Sequence, residues 1–151
     1  MKKILFLACG AILILSACSS NNIKSATINN TEIKIEIADT PELRYQGLSN
    51  KEKLCADCGM LFVFPNKEIR TFVMRDMNFP LDIIWIDDEK VVKINKNTLP
   101  EGSDPVMRYS SDAPANYVLE VNSGAFGVNS ASASQNNRYS PFDFLKPLLR
   151  V

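Results

Sequence analysis

The stretch Glu32-Ile33-Lys34-Ile35-Glu36-Ile37 decides the fold class. Its isoleucines alternate strictly with charged residues. Successive side chains on a strand point to opposite faces, so this period of two predicts a strand with one buried and one solvated face. Upstream, residues 26–28 read as a short strand, and Asn29-Asn30 as the hairpin turn between the two. Downstream, Thr40 offers a capping hydroxyl and Pro41 suits the first helical position. Leu43 and Gln46 then continue a short helix that ends at Gly47. Ser49 and Glu52 have capping-box spacing and predict a second helical turn.

The same reading extends along the chain. Gly59 releases it into the apolar run 60–64, which Pro65 is expected to stop. Residues 69–74 and 81–86 are further strands. Asp87-Asp88-Glu89 is a turn, and residues 90–95 return as a hairpin partner carrying Val91, Val92 and Ile94. Residues 97–116, with Pro100, Pro105 and Pro114, read as a long loop, and 117–121 as another strand. Beyond Gly124 the chain turns polar, then closes on Phe142, Phe144, Leu145, Leu148 and Leu149. Short strands, turn signals and little helix predict a mainly β domain, an antiparallel β sandwich or barrel with one or two short helices.

Composition narrows the function. The 151 residues carry 17 Lys+Arg against 17 Asp+Glu, so the formal charge is zero. Nucleic-acid binders need excess cations to displace counterions from phosphates, so no nucleic-acid partner is expected. Histidine is absent. That excludes Ser-His-Asp triads, Cys-His dyads and histidine metal sites within one chain.

The amino terminus is an address. Lys2 and Lys3 precede an apolar run, residues 4–14, too short for a span of about 20 residues. It fits an export signal. Leu15-Ser16-Ala17-Cys18 reads as a lipobox. The small residues let an extended backbone enter a peptidase cleft, and the Cys18 thiol accepts the lipid. Cleavage makes Cys18 the first residue, with residues 19–25 as a polar tether. Losing Lys2 and Lys3 leaves 15 cations against 17 anions. Two or three palmitate-type chains, at about 0.8 kcal/mol per buried methylene, anchor the product to the bilayer. The expected location is extracytoplasmic. With Ser19 rather than Asp after the cysteine, it is the outer membrane in a two-membrane cell.

A set of ordered blocks resembles the DUF192 family. They are Arg44, Gly47-Leu48, Gly59-Met60-Leu61-Phe62-Val63-Phe64, Phe72, Met74, Pro80-Leu81-Asp82-Ile83-Ile84, Ile86-Asp87, Tyr117-Val118-Leu119-Glu120-Val121 and Gly124. The resemblance covers about residues 31–124. It implies a compact, jelly-roll-like β domain and no particular activity. The family tends to have Trp where Val73 stands and Lys-Asn-Thr where Arg75-Asp76-Met77 stands. It usually closes with a Gly-rich turn and a last strand, where this chain has a Ser/Asn-rich stretch. The expected organisation is a signal peptide over 1–17, a lipidated tether over 18–26, the β domain over 27–124 and a divergent segment over 125–151.

Several constellations could carry chemistry. Cys55 and Cys58 flank Ala56-Asp57 and fit a small disulfide in an exported protein. A redox role needs a thiolate-stabilising helix start, whereas the capping box at Ser49 would put both cysteines near a helix end. Two cysteines without histidine are too few to complete a zinc site. Met60, Met74, Met77 and Met107 offer soft ligands, but apolar packing explains them better, so no metal or cofactor is expected. Phe79, Trp85 and Tyr109 could line a groove. Arg44, Arg75, Asp76, Asp82 and Glu120 are the candidate ligand-binding set, with the arginines as anion donors and Arg44 as a bidentate partner for Asp82 or Glu120. The favoured role is a noncatalytic binding module for a small molecule, glycan or envelope partner. The alternatives are a hydrolase using Asp82 and Glu120, a thiol-disulfide protein using Cys55 and Cys58, and a structural envelope protein.

Overall fold

The computed structural model describes residues 23–28 and 31–125. Residues 1–22, with Cys18 and the lipobox, lie outside them, as do Asn29-Asn30 and residues 126–151. Among the described residues six strands run in chain order: β1 (Ile23–Ile28), β2 (Thr31–Ala38), β3 (Cys58–Phe72), β4 (Leu81–Asp87), β5 (Lys90–Thr98) and β6 (Tyr109–Asn122). A short helix, α1 (Pro41–Gln46), follows β2. The mainly β class therefore holds. The strands form one sheet in the order β1-β2-β3-β6-β4-β5, and the sheet is not closed into a barrel. All neighbours are antiparallel except β2 and β3, which run parallel. That pair corrects the all-antiparallel expectation. A parallel pair needs a crossover connection, and residues 39–57 provide it.

The alternation in β2 translates into two faces. Ile33 and Ile35 are fully buried, while Glu32 and Lys34 are exposed. Register carries those faces across the sheet. Leu61 lies opposite Leu119, which lies opposite Ile84. With Ile33, Ile35, Ile86 and Val121 they form one apolar cluster. Their neighbours point the other way: Met60, Phe62, Val118, Ile83 and Trp85 join a second cluster. Leu48, Met74 and Met77, from the segments before and after β3, cover that second face. Each such side chain contributes about 1.5–3 kcal/mol by leaving water.

Local differences have physical reasons. α1 forms as expected: Thr40 Oγ1 accepts from Leu43 N at 3.3 Å, and Gly47 adopts φ 52° at its end. The second helical turn is absent. Ser49 Oγ instead donates to the Arg75 carbonyl at 2.8 Å, so a tertiary bond replaces the cap. Pro65 does not stop β3. The register slips between Val63 and Glu68, where the strand needs no proline N–H. β6 begins at Tyr109, so the expected 97–116 loop shrinks, and Pro114 lies opposite Ile69 beside a second irregularity. Trp85 is wholly buried, with Nε1 donating to Asn95 Oδ1 at 2.7 Å, so it lines no groove. Phe79 and Tyr109 are half-buried against the same cluster.

Cys55 and Cys58 are disulfide-bonded, with Cα atoms 5.1 Å apart. They stand in the turn that opens β3, not at a helix end, and Cys58 N donates to the Cys55 carbonyl. Asn122 Nδ2 donates to the carbonyls of Leu54 and Cys55, tying this turn to the end of β6. Among the described residues, no helix is long and apolar enough to cross a membrane.

Candidate functional site

The second face of the sheet holds a cavity of about 290 Å³. Its deepest chemistry comes from β6. Glu120 lies opposite Met60 on β3 and Ile83 on β4, so its side chain shares their face. It lines the cavity and is only 5% exposed. Among the described residues no side-chain or backbone group donates to its carboxyl, which opens onto the cavity. Burial without such a partner pushes its pKa up from 4.5 to about 8. At neutral pH the group is therefore mostly a neutral acid, able to donate one hydrogen bond and to accept others.

The walls are apolar. Phe62 and Phe72 meet edge to face at 4.9 Å, and Phe64 meets Phe72 at 6.4 Å. Leu48, Val73 and Met77 complete them. The polar lining comes from the crossover and from the segment after β3. Arg44 Nη1 donates to the carbonyls of Asp39 and Val63, the latter at 2.9 Å, and its guanidinium lies 5.2 Å from the Phe64 ring centre. Arg75 Nη2 donates to the Tyr45 carbonyl at 2.7 Å, and its guanidinium stacks 4.0 Å over the Tyr45 ring. Asn50 N donates to the Asp76 carbonyl at 2.8 Å, which also joins the two segments. Glu101 N donates to the Met74 carbonyl, and Asp76 N to that of Gly102, so a third loop braces the second.

The structure thus brings Arg44, Arg75 and Glu120 to one cavity and leaves two expected residues out of it. Asp76 does not line it; its carboxylate stands 3.9 Å from Arg75 Nε. Asp82 lies opposite Val121 and so faces the other side of the sheet. There Oδ1 accepts from Asn97 N at 2.8 Å and Oδ2 from Gly124 N at 3.0 Å. Asp82 is a buried staple between the end of β5 and the turn after β6. Arg44 pairs with neither carboxylate; its Nη1 donates to backbone carbonyls instead.

This placement overturns the two-carboxylate hydrolase. Asp82 and Glu120 occupy opposite faces, and among the described residues lining the cavity Glu120 is the lone carboxyl. Cys55, Asp57 and Cys58 bring ligand-type atoms within 4.8 Å of one another, but both sulfurs are spent in the disulfide. Met60, Met74 and Met77 are packed into the core, and Met107 is exposed elsewhere. Sequence reading missed Leu48, Phe62, Phe72 and Met77 as wall residues. Their signal was present, since Phe62 and Glu120 fall on one face once β3 and β6 are paired.

The fold and this cavity define a small β domain with an aromatic-walled pocket on one face of its sheet. The chain belongs to the DUF192 family, described as an uncharacterised ACR, whose model matches residues 23–135. No curated protein matches it. It is similar to a solved protein of unknown function from Novosphingobium aromaticivorans DSM 12444. The two are 29% identical, the match covers 75% of this chain and 84% of that one, and the TM-score is 0.65. A second solved structure, from Sinorhizobium meliloti 1021, is described as a "putative transcription regulator". It is 28% identical over 70% of this chain and 84% of that one, with a TM-score of 0.61.

Proposed function

We propose that this domain is a noncatalytic binding module for a small molecule, carried on the outer side of a membrane by acylated Cys18. One observation carries the binding reading: the Glu120 carboxyl, 5% exposed and without a hydrogen-bond partner among the described residues, lines an aromatic-walled cavity. Burial disfavours the charged form of this acid, which opens onto the cavity. A ligand with a matching polar group satisfies it while its apolar body fills the aromatic walls. A catalytic role draws no support from the cavity, which has neither a histidine nor a second carboxylate among its described lining residues. Balanced charge gives no support to a role on nucleic acid.

Two experiments test this. A fragment screen by NMR on the isotope-labelled protein should perturb Phe62, Phe72 and Glu120 together. Hits that scatter over the surface and ignore Phe72→Ala refute the site. For the anchor, intact mass of the membrane-extracted protein should show loss of residues 1–17 and a lipid on Cys18. Full-length, unacylated product refutes it.

A further inference from the structure

We propose that the cavity takes a small apolar zwitterion, with its ammonium group on the Glu120 carboxyl and its anionic group at the Arg44 and Arg75 guanidiniums. This rests on the binding reading above and names its ligand class.

On β6 is an acidic group, 5% exposed, set between Met60 and Ile83 and without a hydrogen bond from the described protein. An ammonium supplies both the donors and the counter-charge that burial withholds. Phe62 and Phe72 line the same cavity, and aromatic rings attract organic cations. The guanidiniums come from the crossover and from the segment after β3. Their orientation is set by neutral acceptors, the carbonyls of Val63 and Tyr45. Among the described residues, no carboxylate lies within salt-bridge distance of Arg44, and that of Asp76 stands 3.9 Å from Arg75 Nε. Each guanidinium has five N–H donors, so both keep capacity for an anion.

A ligand of one charge satisfies one end of this arrangement. An anion leaves Glu120 as it is. An amine leaves the Arg44 charge without a counter-ion among the described residues and adds another positive charge to the cavity. A molecule with an apolar body between opposite charges matches both ends and the wall between them.

The test uses three probes sharing one body: tranexamate, cyclohexanecarboxylate and cyclohexylmethylamine. Calorimetric titration of the full chain should give tranexamate an affinity at least tenfold above either single-charge analogue. Glu120→Gln should bring tranexamate down to the level of cyclohexanecarboxylate, and Arg44→Gln with Arg75→Gln down to that of cyclohexylmethylamine. Unfolding curves of the same variants establish that they are folded. An analogue that binds within threefold of tranexamate overturns the assignment. So does loss of none of the three probes on Glu120→Gln. If no probe binds while the fragment screen still maps to Phe62, Phe72 and Glu120, the zwitterion assignment falls and the binding site stands. If that screen is empty as well, both fall.

Discussion

Replacing Glu120 by glutamine should make the protein more stable at neutral pH and should flatten its pH dependence. Between pH 4.5 and about 8 the folded protein holds a proton that the unfolded chain has released. Stability then falls as pH rises, by about 1.4 kcal/mol per pH unit. Relative to pH 4.5, the loss reaches about 3 kcal/mol at pH 7. Glutamine has similar size and a comparable desolvation cost to the neutral acid, but no proton to lose. The two proteins should therefore be close at pH 5 and diverge steadily above it, with the variant ahead. In a domain of this size, about 3 kcal/mol corresponds to a Tm difference of at least about 10 °C. Urea unfolding at pH 5, 6, 7 and 8 measures it directly. The window is clean because the chain has no histidine. Asp57, Asp88 and Asp112 are held below the usual carboxylate range by Lys34, Lys67 and Lys93, so their contributions are lost as pH falls, outside this window. Parallel stability curves for the two proteins from pH 5 to 8 would refute the burial-raised pKa of Glu120.

Four further outcomes are expected. Asp82→Ala should cost about 2–3 kcal/mol in urea unfolding, because it strands the Asn97 and Gly124 N–H groups; fragment binding at the other face should survive. Phe72→Ala should cost about 2–3 kcal/mol through lost contacts with Phe62, Phe64 and Trp85, and should abolish fragment shifts in the cavity. Gly59→Ala should destabilise by about 1–3 kcal/mol, since a Cβ there would stand 2.9 Å from the Glu120 carbonyl oxygen; an unchanged melting curve would contradict that packing. Reducing the Cys55–Cys58 disulfide should cost about 2 kcal/mol or less, the loop being so short, and thermal melts with and without reductant check it.

Much of the fold was legible because strand signals are local. The alternation at Ile33, Ile35 and Ile37 and the apolar runs at 60–64 and 81–86 each became strands. Thr40, Pro41 and Gly47 marked α1 for the same reason, since caps act within one turn. The failures were also instructive. Pro65 and Pro114 looked like strand breakers, but each sits where the pairing already slips. Ser49 had the spacing of a cap, yet the Arg75 carbonyl claimed its hydroxyl. Site residues divided similarly. A carboxylate within an apolar strand identified both Asp82 and Glu120 as unusual, but not which face each would take.

By itself, the sequence determined the centres of most strands, the buried side of β2, the absence of histidine chemistry and the family blocks, because these depend on residue type and near-neighbour spacing. Only the tertiary structure decided the parallel β2–β3 pair and the separation of Asp82 from Glu120. Pairing register sets which side chains meet across strands. It gave one carboxylate two backbone donors and left the other in an apolar cavity beside two arginines.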